Sequence, residues 1–197
     1  MIGRRDDPAI KAYFADQNPI DIAELLSEDA ELPLAKLYRL LPKTLAAEVF
    51  VEMDSDTQAK LIAELSDKEI AETMSELFYD DAADLVEEMP ATVVKRILKN
   101  TATEDRSEIN KLLKFKDDSA GSIMTTEFVE LKREMTVGEA LDHIRRVAPD
   151  KETVYTCYVT DGRRVLDGVV TLRELLLAPD NAPVRTLMEP NVITVRT

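Results

Sequence analysis

The chain has 197 residues, 45% of them hydrophobic, with 39 acidic against 25 basic side chains and a net charge of −14. That length allows one or two domains with their own cores, and the hydrophobic share excludes a disordered chain. A surface this acidic repels nucleic acid, which removes that class of partner for the first half, and attracts cations or basic surfaces.

Taken in chain order, "NPIDIAELLSED" (18–29) and "LPLAKLYRLLP" (32–42) carry apolar residues at helical spacing. They lead into a twelve-residue repeat. Ala47, Ala59, Ala71 and Ala83 are twelve apart, and so are Leu41, Met53, Leu65, Leu77 and Met89. The units read "PKTLAAEVFVEM", "DSDTQAKLIAEL", "SDKEIAETMSEL" and "FYDDAADLVEEM", and three of the four open on Pro, Asp or Ser, which favour a helix start. A period of twelve predicts helices of about two turns, too short to be stable alone. They must stack on one another as repeat helices do in a solenoid, with the alanines as close-packing positions.

The last of these units, 78–89, holds five carboxylates and no base. On a helix, Asp80, Asp84 and Glu88 fall at i, i+4 and i+8, on one face. Like charges at this spacing cost an isolated helix about 0.2–0.5 kcal/mol per pair. Asp80 and Asp81 in the first turn face the positive end of the helix dipole and are favoured there, but Asp84, Glu87 and Glu88 are not. From Glu48 to Glu88 there are 14 acids and two bases, Lys60 and Lys68.

Near Asp117 the pattern changes. "DDSAGSIMTTEFVEL" supplies turn formers and then a short strand around 128–131, and "TVGEALDHIRRVAP" predicts a helix with a capping box between Thr136 and Glu139. "TVYTCYVTD", the turn "DGRR" and "VLDGVV" read as two further strands, and "LRELLL" as a helix stopping before Pro179. "LMEPNVITV" (187–195) echoes "IMTTEFVEL" (123–131), with Met188 standing for Met124, as if a second copy of this unit begins there. The fold class is therefore α+β: an all-α superhelical repeat domain of short helices over 1–116, then a small α/β unit over 117–197. One cysteine, Cys157, rules out an internal disulfide framework, and no apolar run reaches the roughly 18 residues of a membrane span, so the chain is expected to be soluble. Cys157 reads as a buried small hydrophobe, His143 as packing or surface, and no nucleophile–base pair, P-loop or metal-hydrolase motif suggests an enzyme.

The second half resembles a cystathionine-β-synthase (CBS) domain in "SIMTTEFVELKREMTVGEAL", "YTCYVTDGRRVLDGVVTLREL" and "VRTLMEPNVITV". An acidic helical-repeat domain joined through "FKDDSAGSIMT" to a CBS unit with "RRVAPDKETVY" resembles the cytosolic region of MgtE-type magnesium transporters. That resemblance implies a regulatory module on the cytoplasmic face of the cell membrane, a homodimer joined through its CBS units, and a transmembrane pore in the same polypeptide. It also implies that Mg²⁺ bridges the helical domain and a CBS pair to hold the pore closed. By the same resemblance the bridging acids are Glu48, Asp80 and Asp84, with the opposing acids mostly in a second CBS unit and a connecting helix. Glu87 and Glu88 read as solubilising surface. Mg²⁺ keeps several waters and needs only one or two carboxylates per site, so a spread of acids suits it.

CBS units that bind adenine nucleotides carry a Gly-h-h-Ser/Thr-x-x-Asp motif. "GVVTLRE" supplies Gly168, Thr171 and Arg173, with Glu174 where Asp is usual, and Tyr155 matches a position beside the adenine. ATP is thus a second implied ligand through Tyr155, Thr171, Arg173 and Glu174, against plain alternatives of strand packing for Tyr155 and a helix cap for Thr171. A soluble adenine-nucleotide sensor with a helical protein-docking arm is the alternative function, and a solenoid adaptor for a basic protein a third.

Overall fold

The computed structural model describes residues 7–28, 32–116 and 118–197, so Asp29, the end of one expected helix, and Asp117, at the expected junction, lie outside the described residues. The chain divides into two compact units, Met1–Lys116 and Asp117–Thr197.

In the first unit, α1 (Asp7–Ala15), α2 (Pro19–Glu28) and α3 (Leu34–Tyr38) precede a regular series. The series is α4 (Lys43–Val51), α5 (Ser55–Glu64), α6 (Asp67–Met74), α7 (Tyr79–Glu88), α8 (Ala91–Asn100) and α9 (Thr103–Leu112). Each of these six helices starts twelve residues after the one before. The repeat therefore runs two helices further than the alanine and Leu/Met marks reveal. Lys95 and Ser107 stand where alanine stood. Thr101, buried, takes the place of Met89 one unit on and donates its hydroxyl to the Ile97 carbonyl.

No helix of this length stands alone. Helices pack on the helix two along: α2 on α4, α4 on α6, α6 on α8, α7 on α9. Val49, Leu61, Ile97 and Ile109, at one repeat position, are all fully buried. Ala47 and Ala83 are buried as close-packing positions, and Ala59 and Ala71 half-buried. Helix ends are capped locally: Asp54 accepts from the Thr57 N–H, and Ser66 with Glu69 forms a capping box. They are also capped at long range. Arg96 donates to the Ile62 and Leu65 carbonyls at the end of α5, both at 2.5 Å, and pairs with Asp67, whose carboxyl it holds below the usual carboxylate range. Without it those carbonyls lose their side-chain partner.

The second unit is a three-stranded sheet in the order β1 (Phe128–Lys132), β2 (Thr153–Thr160), β3 (Leu166–Thr171). β1 and β2 are parallel, joined by α10 (Val137–Val147), and β2 and β3 are antiparallel. The β2–β3 turn puts Arg164 at φ 62°, and α11 (Leu172–Leu177) follows β3 directly. Val129, Leu131, Ala140, Ile144, Val159 and Leu175 build the core. Both helices open on capping boxes, Thr136 with Glu139 and Thr171 with Glu174. Cys157 sits in this core, and burial pushes its thiol up to about 11, which leaves it unreactive near neutral pH.

Residues 187–190 return along β3, where Val169 and Glu189 exchange two backbone hydrogen bonds. A Cβ on Gly168 would lie 2.6 Å from the Glu189 carbonyl oxygen, so this glycine is required by backbone approach. Gly168→Ala should destabilise the sheet unit by about 1–3 kcal/mol, measured by urea unfolding followed at backbone amides of β3.

Candidate functional site

The acidic face is built on α7. Ala82, Ala83 and Leu85 bury one side of the helix, and the carboxylates occupy what remains. A groove of about 320 Å³ runs between α7 and the junction of α4 with α5, floored by Phe50, Met53, Leu77 and Leu85 and walled by Asp54, Asp81, Asp84 and Glu88. Asp81, Asp84 and Glu88 are three and four residues apart, hence on one helix face.

The four acids are not equivalent. Asp54 is committed to capping α5, accepting from the Thr57 N–H at 2.9 Å and the Thr57 hydroxyl at 2.7 Å, which holds its carboxyl below the usual range. Asp84 goes the other way. Although much of its surface is exposed, the water it loses against the groove raises its carboxyl, and the charge of Glu88 adds to this. Its ionised form is thus disfavoured where it stands, and a nearby positive charge would relieve it.

Of the three acids expected to contact a metal, only Asp84 lines this groove. Asp80 is half-buried in the first turn of α7, and Glu48 is exposed on α4. Glu48 and Asp84 share one repeat position, three units apart, and that position is charged in every unit: Glu48, Lys60, Glu72, Asp84, Arg96, Glu108. Glu88, read from sequence as solubilising surface, is a wall of the groove, while Glu87 is exposed. Asp54 and Asp81 were not anticipated. Asp81 at three residues before Asp84 was visible in the sequence, whereas Asp54 reaches the groove only because the fold sets the α4–α5 junction across it from α7. Among the described residues, no group of three or more His, Cys, Asp and Glu is placed to hold a metal ion.

In the sheet unit, Thr156 pairs with Thr171, which brings Tyr155 and Thr171 to the same end of the sheet, where α11 starts. Tyr155 is 77% exposed on β2. Thr171 is a helix cap. Its N–H and hydroxyl both donate to the Glu174 carboxylate at 2.7 Å, its hydroxyl accepts from the Glu174 N–H, and Glu174 is held below its usual range by these bonds. Arg173 is exposed, with no ion pair among the described residues. His143 is half-buried on α10.

Residues 17–118 match the family model of the MgtE intracellular N domain, and residues 120–181 that of the CBS domain. The chain is 35% identical over 196 residues to the magnesium transporter MgtE of Thermus thermophilus, covering 98% of this chain and 43% of that protein. It is 25% identical over 184 residues to the magnesium transporter MgtE of Bacillus subtilis, covering 93% of this chain and 41% of that protein. It thus spans less than half the length of these relatives. Among solved structures, the cytosolic domain of the Mg²⁺ channel MgtE in complex with ATP matches with a TM-score of 0.89 at 34% identity, covering 98% of this chain and 79% of that one. The soluble part of a magnesium transporter matches with the same TM-score at 26% identity, covering 98% and 76%. These relatives are transporters, not enzymes.

A raised acid adds a destabilising charge that is absent at low pH and appears as pH rises past the ordinary carboxylate value. Asp84→Asn should therefore raise the thermal midpoint at about pH 7 in low salt and leave it unchanged at about pH 2, where the native carboxyl is already protonated. Thermal unfolding at both pH values checks this.

Proposed function

The chain belongs to the MgtE family, and on that premise we propose that it is the cytosolic, magnesium-sensing part of a magnesium channel. The observation that carries this reading is the acidic face of α7, where burial and Glu88 both disfavour the ionised form of Asp84. Glu48, Asp80 and Asp84 are the proposed Mg²⁺ contacts, and Asp81 and Glu88 extend the negative field around them. Mg²⁺ holds its inner waters tightly, so these carboxylates bind it mainly through water and by charge. One acidic wall attracts the ion weakly, and two facing walls share it. The second wall comes from acids beyond this chain, in a second CBS unit and a connecting helix.

Bridged by Mg²⁺, the walls stay together and the pore is closed. When Mg²⁺ is scarce, like charges face each other unscreened and the walls part. Affinity on the order of 10⁻⁴–10⁻³ M, the range of weak carboxylate sites for Ca²⁺, suits such a sensor. The ion biases the closed state only by its differential affinity for it. The proposed whole protein is a homodimer joined through its CBS units, with a transmembrane pore in the same polypeptide. Among the described residues no helix is long and apolar enough to cross a membrane, and the exposed Leu176 and Leu177 of α11 give the CBS unit an apolar surface for a partner unit.

ATP is a second proposed ligand. Exposed Tyr155 at the same end of the sheet as Thr171 supports it, as does the relative solved with ATP. Tyr155 offers a face for adenine stacking, and Arg173 a charge for phosphate. Glu174 would have to leave its capping box to reach a ribose hydroxyl.

An amide NMR titration of this chain with MgCl₂, with KCl lowered to hold ionic strength, tests the first reading. Saturable shifts at Asp80, Asp81 and Asp84, with a midpoint on the order of millimolar and lost in Asp80→Asn with Asp84→Asn, are expected. Shifts that match KCl alone would exclude the ion from this face. ATP in the same experiment should move Tyr155 and Thr171 instead.

A further inference from the structure

A second cavity lies elsewhere in the helical unit. It has a volume of about 410 Å³, within the range of small-molecule pockets, and opens between the α3–α4 turn and α6. Leu41, Ala46 and Leu65 give it an apolar lining. Two ion pairs belong to its lining: Arg39 to Glu69 at 2.5 Å and Lys43 to Glu72 at 3.3 Å. Two positive and two negative groups leave the lining without net charge, so it selects neither an anion nor a cation.

The inner wall is unusual for this fold. Thr73 occupies the repeat position held elsewhere by Val49, Leu61, Leu85, Ile97 and Ile109, and it is only 7% exposed. Its hydroxyl pairs with that of Tyr38, 5% exposed, at 3.2 Å. Two hydroxyls carry two hydrogens, and their mutual bond uses one. The other has no acceptor among the described residues. Tyr38 and Thr73 both line the cavity, so the second hydrogen can be donated to an acceptor inside it, where an aliphatic residue at this repeat position would offer none. Burial pushes the Tyr38 phenol up to about 12, so it remains a donor throughout the physiological range.

We propose that this pocket binds a neutral, largely apolar small molecule carrying one acceptor oxygen, which receives the spare hydroxyl hydrogen of the Tyr38–Thr73 pair. The apolar lining takes the body of the ligand. The two surface ion pairs, individually weak, part to admit it. This site is separate in residues and chemistry from the acidic groove, and its occupancy does not depend on Mg²⁺.

Methyl NMR of this chain with acetophenone as the probe tests the proposal, with ethylbenzene as the analogue lacking the acceptor. Acetophenone should shift the Leu41, Ala46 and Leu65 methyls saturably, with a dissociation constant on the order of millimolar for so small a ligand. Ethylbenzene should bind about fivefold more weakly, the worth of one hydrogen bond. The double variant Tyr38→Phe with Thr73→Val removes both hydroxyls with little change of volume and is expected to fold, because both partners are replaced together. In it the two probes should bind alike. The proposal is overturned if these methyls do not saturate, if the probes bind equally to the unmodified chain, or if the double variant keeps the preference.

Discussion

The helical unit depends on one constraint: a helix of eight to ten residues cannot hold itself together in water. Every twelve residues the chain must start a helix, bury one side of it against the helix two along, and satisfy both ends. Asp54, Ser66 with Glu69, and Arg96 reaching from α8 to the end of α5 meet that last demand. The repeat length follows from it, since two to three turns plus a short turn is the least that buries a useful face.

The same constraint decides where charge can go. Packing claims the repeat position of Val49 in every unit and that of Phe50 in the first three, and the position of Glu48 is never buried. It is charged in all six helices, but in α7 it falls beside further acids, and there Asp84 loses water against the groove. A solvated acidic helix would show ordinary carboxylates. Here the carboxyl of Asp84 is raised, first by burial and then by Glu88. The packing that stabilises the solenoid thus disfavours the charge of Asp84, and the proposed role of Mg²⁺ rests on that. The CBS unit contributes differently: its capping box holds Thr171 and Glu174 to each other, while Tyr155 stands exposed beside them.

Much of the fold was legible in the sequence, because period and capping are local signals. The repeat, the strand–helix–strand–strand–helix order and the capping box at Thr136 are all carried by residues within a few positions of one another. The continuation through α8 and α9 was hidden by Lys95, Ser107 and Thr101, which break the composition of the repeat but not its geometry. The groove was only partly legible. The spacing of Asp84 and Glu88 marks a shared face, whereas the arrival of Asp54 depends on helix packing that no single segment encodes. Gly168 reads as part of a ligand motif, yet the approach of Glu189 already requires it.

The central claim is that Mg²⁺ is the counter-charge of the α7 face and draws a second acidic wall onto it. Small-angle scattering tests this most directly, on the chain extended to the length of the solved cytosolic relatives, from zero to about 20 mM Mg²⁺ at constant ionic strength, a range that spans weak carboxylate affinity. The account predicts compaction with a midpoint on the order of millimolar, abolished by Asp80→Asn with Asp84→Asn. A radius of gyration unchanged across the series, or compaction that persists in the double variant, would contradict it.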